Sequence, residues 1–166
     1  MKPLLYISGP YSAETYQGRQ QNILNAKRRY IETLKSGEWW AICPHTMTAE
    51  MEIHVPEMSH EEWIQVDITM LAQCDAIWAD YPRNKGSAGT RLEVAWALLA
   101  GMPIHLGSRI DSAPNMLRNN RRKDLIDPVY KDLTAEIQKI FAMVADWNLP
   151  DPLHYKGSIL LQEVKS

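Results

Sequence analysis

Glu93 closes the run Gly86-Ser87-Ala88-Gly89-Thr90-Arg91-Leu92-Glu93, a short stretch that combines glycines, hydroxyls and a carboxylate. The run lies between a strand-like segment, Asp75-Ala76-Ile77-Trp78-Ala79, and a helix-like one. In the latter, Leu92, Ala95, Trp96 and Leu99 recur at helical spacing until Gly101 and Pro103 end it. A strand–loop–helix unit of this kind aims free backbone N–H groups and the positive end of the helix dipole at whatever binds above the strand, which favours an anion. Gly86 and Gly89 let the backbone approach a ligand closely, and Ser87 and Thr90 add hydroxyls. Glu93 stands one position off the apolar stripe and is expected at the rim of the core. It is either a helix charge beside a favourable dipole or a functional group, and position alone weighs the two equally.

A second carboxylate, Asp67, falls between Trp63 and Met70 or Leu71 on a helix of its own, on or near the apolar face. An acid in that setting needs a partner. One reading is a helix-to-loop hydrogen bond within the core; the other pairs it with Glu93. Two carboxylates in unequal environments are what glycosyl chemistry requires. One stays ionised to attack or stabilise an oxocarbenium-like carbon, and the other positions or donates a proton. His45 reads first as a capped or buried imidazole and second as a base. Tyr11 reads equally as packing or as a ring that stacks on a base.

These residues need a frame. Leu4-Leu5-Tyr6-Ile7 reads as a buried strand stopped by the turn Ser8-Gly9-Pro10-Tyr11. A long helix follows, with Ile23, Ala26, Tyr30 and Leu34 on its buried face, Lys27, Arg28 and Arg29 as polar cover, and Gly37 as its stop. Trp39-Trp40-Ala41-Ile42-Cys43 is the second strand, running into Pro44-His45 and a Met-rich segment to Pro56 that suits a lid. Ser59 and Glu62 have capping-box spacing and start a helix with Trp63, Val66, Met70 and Leu71 as its buried stripe. Strands at 76–79 and 103–106 and a helix from about Val129 to Trp147, with Leu133, Ile137, Ile140 and Val144 on one side, complete the domain. Strands alternating with helices predict an α/β fold: a parallel sheet with right-handed crossovers and helices on both faces. Ligands then sit beyond the carboxyl ends of the strands, where Ser8, Gly9, Tyr11, Pro44, His45, Asp80, Tyr81, Gly86 to Glu93, Gly107 and Ser108 collect. Residues 1–147 form one domain, and 148–166 a tail that packs on the domain or on a neighbour.

Composition narrows the function classes. With 166 residues, 45% of them hydrophobic, and a net charge of −2, the chain is an ordinary globular domain. The basic cluster Arg118-Asn119-Asn120-Arg121-Arg122-Lys123 reads as solvated surface or as a lure for a phosphorylated small molecule, so no nucleic-acid polymer is expected as partner. The first strand lies too close to the N-terminus for a signal peptide, and no stretch approaches the length of a membrane span, so a cytoplasmic protein with no membrane partner is expected. Cys43 and Cys74 suit reduced, buried thiols, and the five histidines lack ligand spacing, so neither a structural metal nor a cofactor is expected.

Taken in order, Tyr6-Ile7-Ser8-Gly9-Pro10-Tyr11, Trp63 through Asp67 to Leu71, Cys74-Asp75-Ala76-Ile77-Trp78, and Gly86 to Glu93 followed by Ala97 and Gly101-Met102-Pro103 resemble the nucleoside 2-deoxyribosyltransferase family. That family includes the 2'-deoxynucleoside 5'-monophosphate N-glycosidases, and the resemblance spans residues 4 to about 118. It implies a Rossmann-like (flavodoxin-like) fold and a covalent mechanism. Glu93 would attack the anomeric carbon of a deoxyribose, and Asp67 would match the second acid, which assists sugar and departing base. Ser8, Gly9 and Tyr11 would line the sugar and base pocket. Ser87 matches a serine of the monophosphate hydrolases, where base-exchanging transferases tend to carry an acid that would repel phosphate. His45 resembles a histidine of the hydrolase branch, whereas Asn115 resembles a transferase asparagine that reaches in from a neighbouring subunit, which implies a homo-oligomer. The glycine loop also resembles the Gly-Gly-x-Gly-Thr-x-x-Glu element of cytokinin-activating phosphoribohydrolases, with Ser87 in place of the second glycine. The expected ligand is a nucleoside or nucleotide. The leading expectation is hydrolysis of deoxynucleoside 5'-monophosphates, with base exchange on free deoxynucleosides and a nucleotide sensor without turnover as alternatives.

Overall fold

A computed structural model describes residues 1–81, 87–106, 116–117 and 129–155. Four strands, β1 (Leu4–Ser8), β2 (Trp40–Ile42), β3 (Ala76–Ala79) and β4 (Ile104–Leu106), run parallel, and the short β5 (Met116–Leu117) pairs antiparallel with β4. The order is β2-β1-β3-β4-β5, so the chain reverses its direction of travel across the sheet between β1 and β3. The register places Tyr6 beside Ile77 and Ser8 beside Ala79.

Helices cover both faces. Leu5, Ile7, Ala76 and Trp78 point to the face where α1 (Tyr16–Ser36) packs through Ala26 and Tyr30. Tyr6, Ile77, Ala79 and Ile104 point to the opposite face, which holds α3 (His60–Leu71), α4 (Ala88–Leu99) and α5 (Thr134–Trp147). This is the α/β architecture with helices on both faces that the alternation of strand and helix patterns predicts, and it is Rossmann-like. The period-2 alternation along β1 has a functional consequence: Tyr6 and Ser8 face α4 together.

Local signals set the helix ends. Thr15 caps α1 by accepting from Gly18 N–H, and Gly37 ends it at φ 72°, a left-handed conformation that glycine adopts without steric cost. Ser59 and Glu62 form the expected capping box on α3. The segment after β2 folds as a single turn, α2 (Pro44–Met47), and a 3₁₀ turn, Met51–Ile53.

Several buried faces differ from the sequence expectation. On α3 the core residues are Ile64, Ile68 and Leu71, while Trp63, Val66 and Met70 are half-buried. The helix is rotated because one of its edges borders a cavity rather than the core. On α1, Leu34 is exposed and Thr33 is buried instead, its hydroxyl donating to Arg29 O at 2.9 Å. On α5, Met143 takes the buried place expected for Val144, and residues 129–132 form a separate helical turn before the helix proper. On α4, burial extends nearly all round, from Thr90 to Ala97, because the helix is clamped between the sheet, α3 and α5.

The described part of the tail packs on the domain. Trp96 Nε1 donates to Pro150 O at 2.8 Å, and the buried Tyr155 donates to Cys74 O. Cys43 and Cys74 are buried and not joined in a disulfide. No helix among the described residues is long and apolar enough to cross a membrane.

Candidate active site

Beyond the carboxyl end of β1, where the order of strands reverses, lies a cavity of about 870 Å³. Its walls are the β1–α1 loop, α2 with the 3₁₀ turn, one edge of α3, and the N-terminus of α4. Gly9, Tyr11, His45, Asp67, Ser87, Gly89, Thr90 and Glu93 all line it. Residues separated by more than 80 positions in the chain are gathered at one sheet edge, as open parallel sheets dictate.

Glu93 is buried in the second turn of α4 and held from below by β1. Tyr6 donates to its Oε1 at 2.7 Å, and Ser8 donates to its Oε2. Burial raises the Glu93 carboxyl above its usual range, and the Ser8 and Tyr6 hydrogen bonds oppose that rise. Tyr6 stays protonated because burial, and then the Glu93 charge, push its phenol well up.

Asp67 has no hydrogen bond or ion pair among the described residues, so the expected core hydrogen bond is not made. Burial, reinforced by the Glu93 charge, lifts its pKa to about 8. Two carboxylates sharing a poorly solvated site oppose each other's ionisation. The two donors favour negative charge on Glu93, and a proton is favoured on Asp67, which has no donor among the described residues. Such an arrangement can present one ionised and one protonated carboxyl group to a bound molecule.

The N-terminus of α4 also lines the cavity. Ser87 is its cap, accepting from Thr90 N–H and donating to Thr90 Oγ1 at 3.0 Å. The backbone N–H groups of Ala88 and Gly89, first in the helix, have no intrahelical acceptor. A Cβ added at Gly89 would meet nothing within 4 Å, and the same holds at Gly9. The missing side chains leave space to the cavity rather than to protein packing.

A hydrogen-bonded clasp includes three of the cavity-lining residues, Tyr11, Arg19 and Glu52. Tyr11 donates to Glu52 Oε1 at 2.7 Å and accepts from Glu50 N–H at 3.0 Å, while Arg19 Nη1 meets the same Glu52 oxygen at 2.9 Å. Gln20 reaches Glu50 at 2.8 Å, and Glu50 sits at φ 64°, a left-handed backbone uncommon for a side-chain-bearing residue. The segment expected as a lid is therefore tied to α1. Tyr11 also packs edge-on against His45, with ring centroids 5.7 Å apart. His45 is buried, and burial lowers its pKa while the neighbouring backbone of Pro10 and Gly9 opposes that fall.

Other strand-end residues lie elsewhere. Tyr81 is buried and donates to Asp132, within a network in which Arg91 bonds Asp132 and Glu136. Asp80 lines a smaller cavity of about 340 Å³ on the α1 side. Gly86, Asn115, Gly107, Ser108 and the basic cluster at 118–123 lie outside the described residues. Among the described residues, no group of three His, Cys, Asp or Glu side chains could hold a metal ion. The site also includes residues that pattern reading did not single out. Tyr6 was accessible, since a strand position two before Ser8 shares its face. Trp63 was obscured by its apolar character, and Arg19 and Glu52 are brought together only by the tertiary fold.

Residues 3–106 match the model of a family described as a domain of unknown function (DUF7768). The match covers more than half of the chain, including β1 through β4 and every residue lining the larger cavity, and the chain belongs to that family. No curated protein matches it.

Proposed function

We propose that this DUF7768 member is an N-glycosidase of 2'-deoxynucleoside 5'-monophosphates, acting in the cytoplasm through a glycosyl intermediate on Glu93. The observation that carries the reading is the unequal carboxylate pair lining one nucleotide-sized cavity, in which Glu93 is doubly hydrogen-bonded and Asp67 has no hydrogen bond among the described residues and a pKa that burial lifts to about 8.

In this reading a Glu93 oxygen attacks C1' of the deoxyribose as the bond to the base nitrogen breaks, and the electron pair of that bond leaves with the base. Asp67 supplies the proton the departing base needs, directly at a base nitrogen. Water then attacks C1' and gives its proton to the Asp67 carboxylate, and Glu93 is released. Atoms balance as nucleotide plus water giving free base and deoxyribose 5-phosphate, with Asp67 reprotonated. The 5'-phosphate would sit at the α4 N-terminus on the free N–H groups of Ala88 and Gly89. Tyr6 and Ser8 hold the carboxylate in position.

A second reading, base exchange on free deoxynucleosides, has its own support. Arg19, an arginine on the cavity wall, is already paired with Glu52, and the Ser87 hydroxyl is engaged with Thr90, an arrangement that suits an uncharged 5'-hydroxyl. A base-release screen over deoxynucleosides and their 5'-monophosphates, with both products weighed by mass spectrometry, separates the two. Release from the monophosphates into water supports hydrolysis. A labelled second base captured into nucleoside, independently of phosphate, supports exchange, and neither product from any substrate overturns the glycosyl chemistry.

A further inference from the structure

One wall of the cavity is built from a segment that lacks an apolar anchor. Of the described residues from Thr46 to His60, none is buried, and Met47, Met51 and Ile53 are exposed. Thr48, Glu52, Met58 and His60 of this segment nevertheless line the cavity. A segment without buried apolar contacts belongs to the low-stability end of a fold, so its place depends on its polar contacts to neighbouring elements.

Those contacts converge on Glu52. Its Oε1 accepts from the Tyr11 hydroxyl at 2.7 Å and from Arg19 Nη1 at 2.9 Å, one donor from the β1–α1 loop and the other from α1. Tyr11 closes the ring by accepting from Glu50 N–H at 3.0 Å, and Gln20 donates to the Glu50 carboxylate at 2.8 Å. Burial raises the Glu52 pKa, but the Tyr11 and Arg19 hydrogen bonds more than offset it and bring the carboxyl below its usual range. Glu52 is therefore ionised at neutral pH, and both of its hydrogen bonds are charge-assisted. Glu50 keeps its φ of 64°, a conformation that a side-chain-bearing residue holds only where its surroundings over-determine it. The Arg19 guanidinium, 5.9 Å from the Tyr11 ring centroid, and His45, at 5.7 Å, hold the ring as well as its hydroxyl.

We infer that Glu52 is a positioning residue for the candidate active site: by holding Tyr11 and Arg19 it fixes the 46–60 segment as a wall of the cavity before a ligand enters. The inference rests on the glycosidase reading for its substrate and on the clasp alone for its geometry. A wall already in place spares a bound molecule the entropy of ordering it. Loss of Glu52 therefore weakens binding and leaves the chemistry on Glu93 untouched.

The test follows KM and kcat for a deoxynucleoside 5'-monophosphate on the wild-type protein, on Glu52→Ala, Glu52→Gln and Tyr11→Phe, and on Tyr11→Phe combined with Glu52→Ala. Glu52→Ala is expected to raise KM about tenfold, the worth of about one hydrogen bond to a charged group, with kcat within about threefold of wild type. Glu52→Gln keeps an acceptor oxygen and is expected to recover most of that rise. The double variant is expected to show less than the product of the two single effects, because both act through one contact. Hydrogen exchange at the Glu50 amide, faster in Glu52→Ala than in wild type, reads the loosened segment without turnover. An unchanged KM, a loss confined to kcat, single effects that multiply in the double variant, or a Glu52→Gln protein as impaired as Glu52→Ala overturns the assignment and leaves the glycosidase reading standing. A wild type that binds the nucleotide without releasing base overturns the glycosidase reading alone, and the same comparisons are then made as Kd. Neither binding nor release overturns both.

Discussion

Tyr6 and Glu93 are joined across 87 positions of sequence by a hydrogen bond of 2.7 Å from the phenol to Oε1. The bond ties the middle of β1 to the second turn of α4, and with Ser8 it sets which of the two cavity carboxylates is ionised. Tyr6→Phe removes one of the two donors and leaves the ring packed. Loss of a buried hydrogen bond to a charged group amounts to about 1.5–3 kcal/mol, so kcat/KM is expected to fall about ten- to hundredfold. The acid limb of the pH–rate profile should move to higher pH, because Glu93 then takes up a proton more readily. A profile that drops without moving would make Tyr6 a packing residue only.

Asp67 gives the protein a dependence of stability on pH. Its pKa rises from 3.8 to about 8 on folding, from burial first and the Glu93 charge second. Between those values the native state keeps a proton that the unfolded chain releases, so stability is greatest below the unfolded pKa and declines as pH rises through the folded one. Asp67→Asn is expected to flatten that decline and to be the more stable protein at pH 8.5 by at least about 1 kcal/mol, while losing base release. Urea melts of both proteins at pH 6 and pH 8.5 measure the difference, and parallel curves would contradict it.

Gly89 is a position where stability and function should separate. Its side-chain direction is open and its backbone is helical, so Gly89→Ala gains about 0.5–1 kcal/mol from helix propensity. The added methyl narrows the approach to the α4 N-terminus, and KM for a 5'-monophosphate is expected to rise several-fold while Tm rises. A higher Tm with unchanged KM would place the phosphate elsewhere.

The elements and the site were legible to different degrees, for physical reasons that particular residues show. Short-range chemistry wrote the helix boundaries: the Ser59–Glu62 box and Gly37 act within a few residues of themselves. Period-2 and helical patterns sufficed for the parallel sheet with helices on both faces, and the strand-end rule was enough to draw Ser8, His45 and Glu93 to one edge. Patterning failed where an apolar residue serves a cavity instead of the core. Trp63 and Leu34 look like core residues, yet one lines the site and the other is exposed, because the burial of a helix face depends on what packs against it. The Arg19–Glu52–Tyr11 clasp has no local signature, since its members meet only after α1 and the 3₁₀ turn are in place.

The glycosyl intermediate on Glu93 can be looked for directly. The wild-type protein is mixed with a deoxynucleoside 5'-monophosphate, quenched in acid within a turnover, and its intact mass and peptides are weighed, with Glu93→Gln as control. The account predicts a gain equal to one deoxyribose phosphate, confined to the peptide that contains Glu93 and missing from the control, together with stoichiometric free base. Base released at an undiminished rate by Glu93→Gln, or an adduct on any other residue, would contradict it.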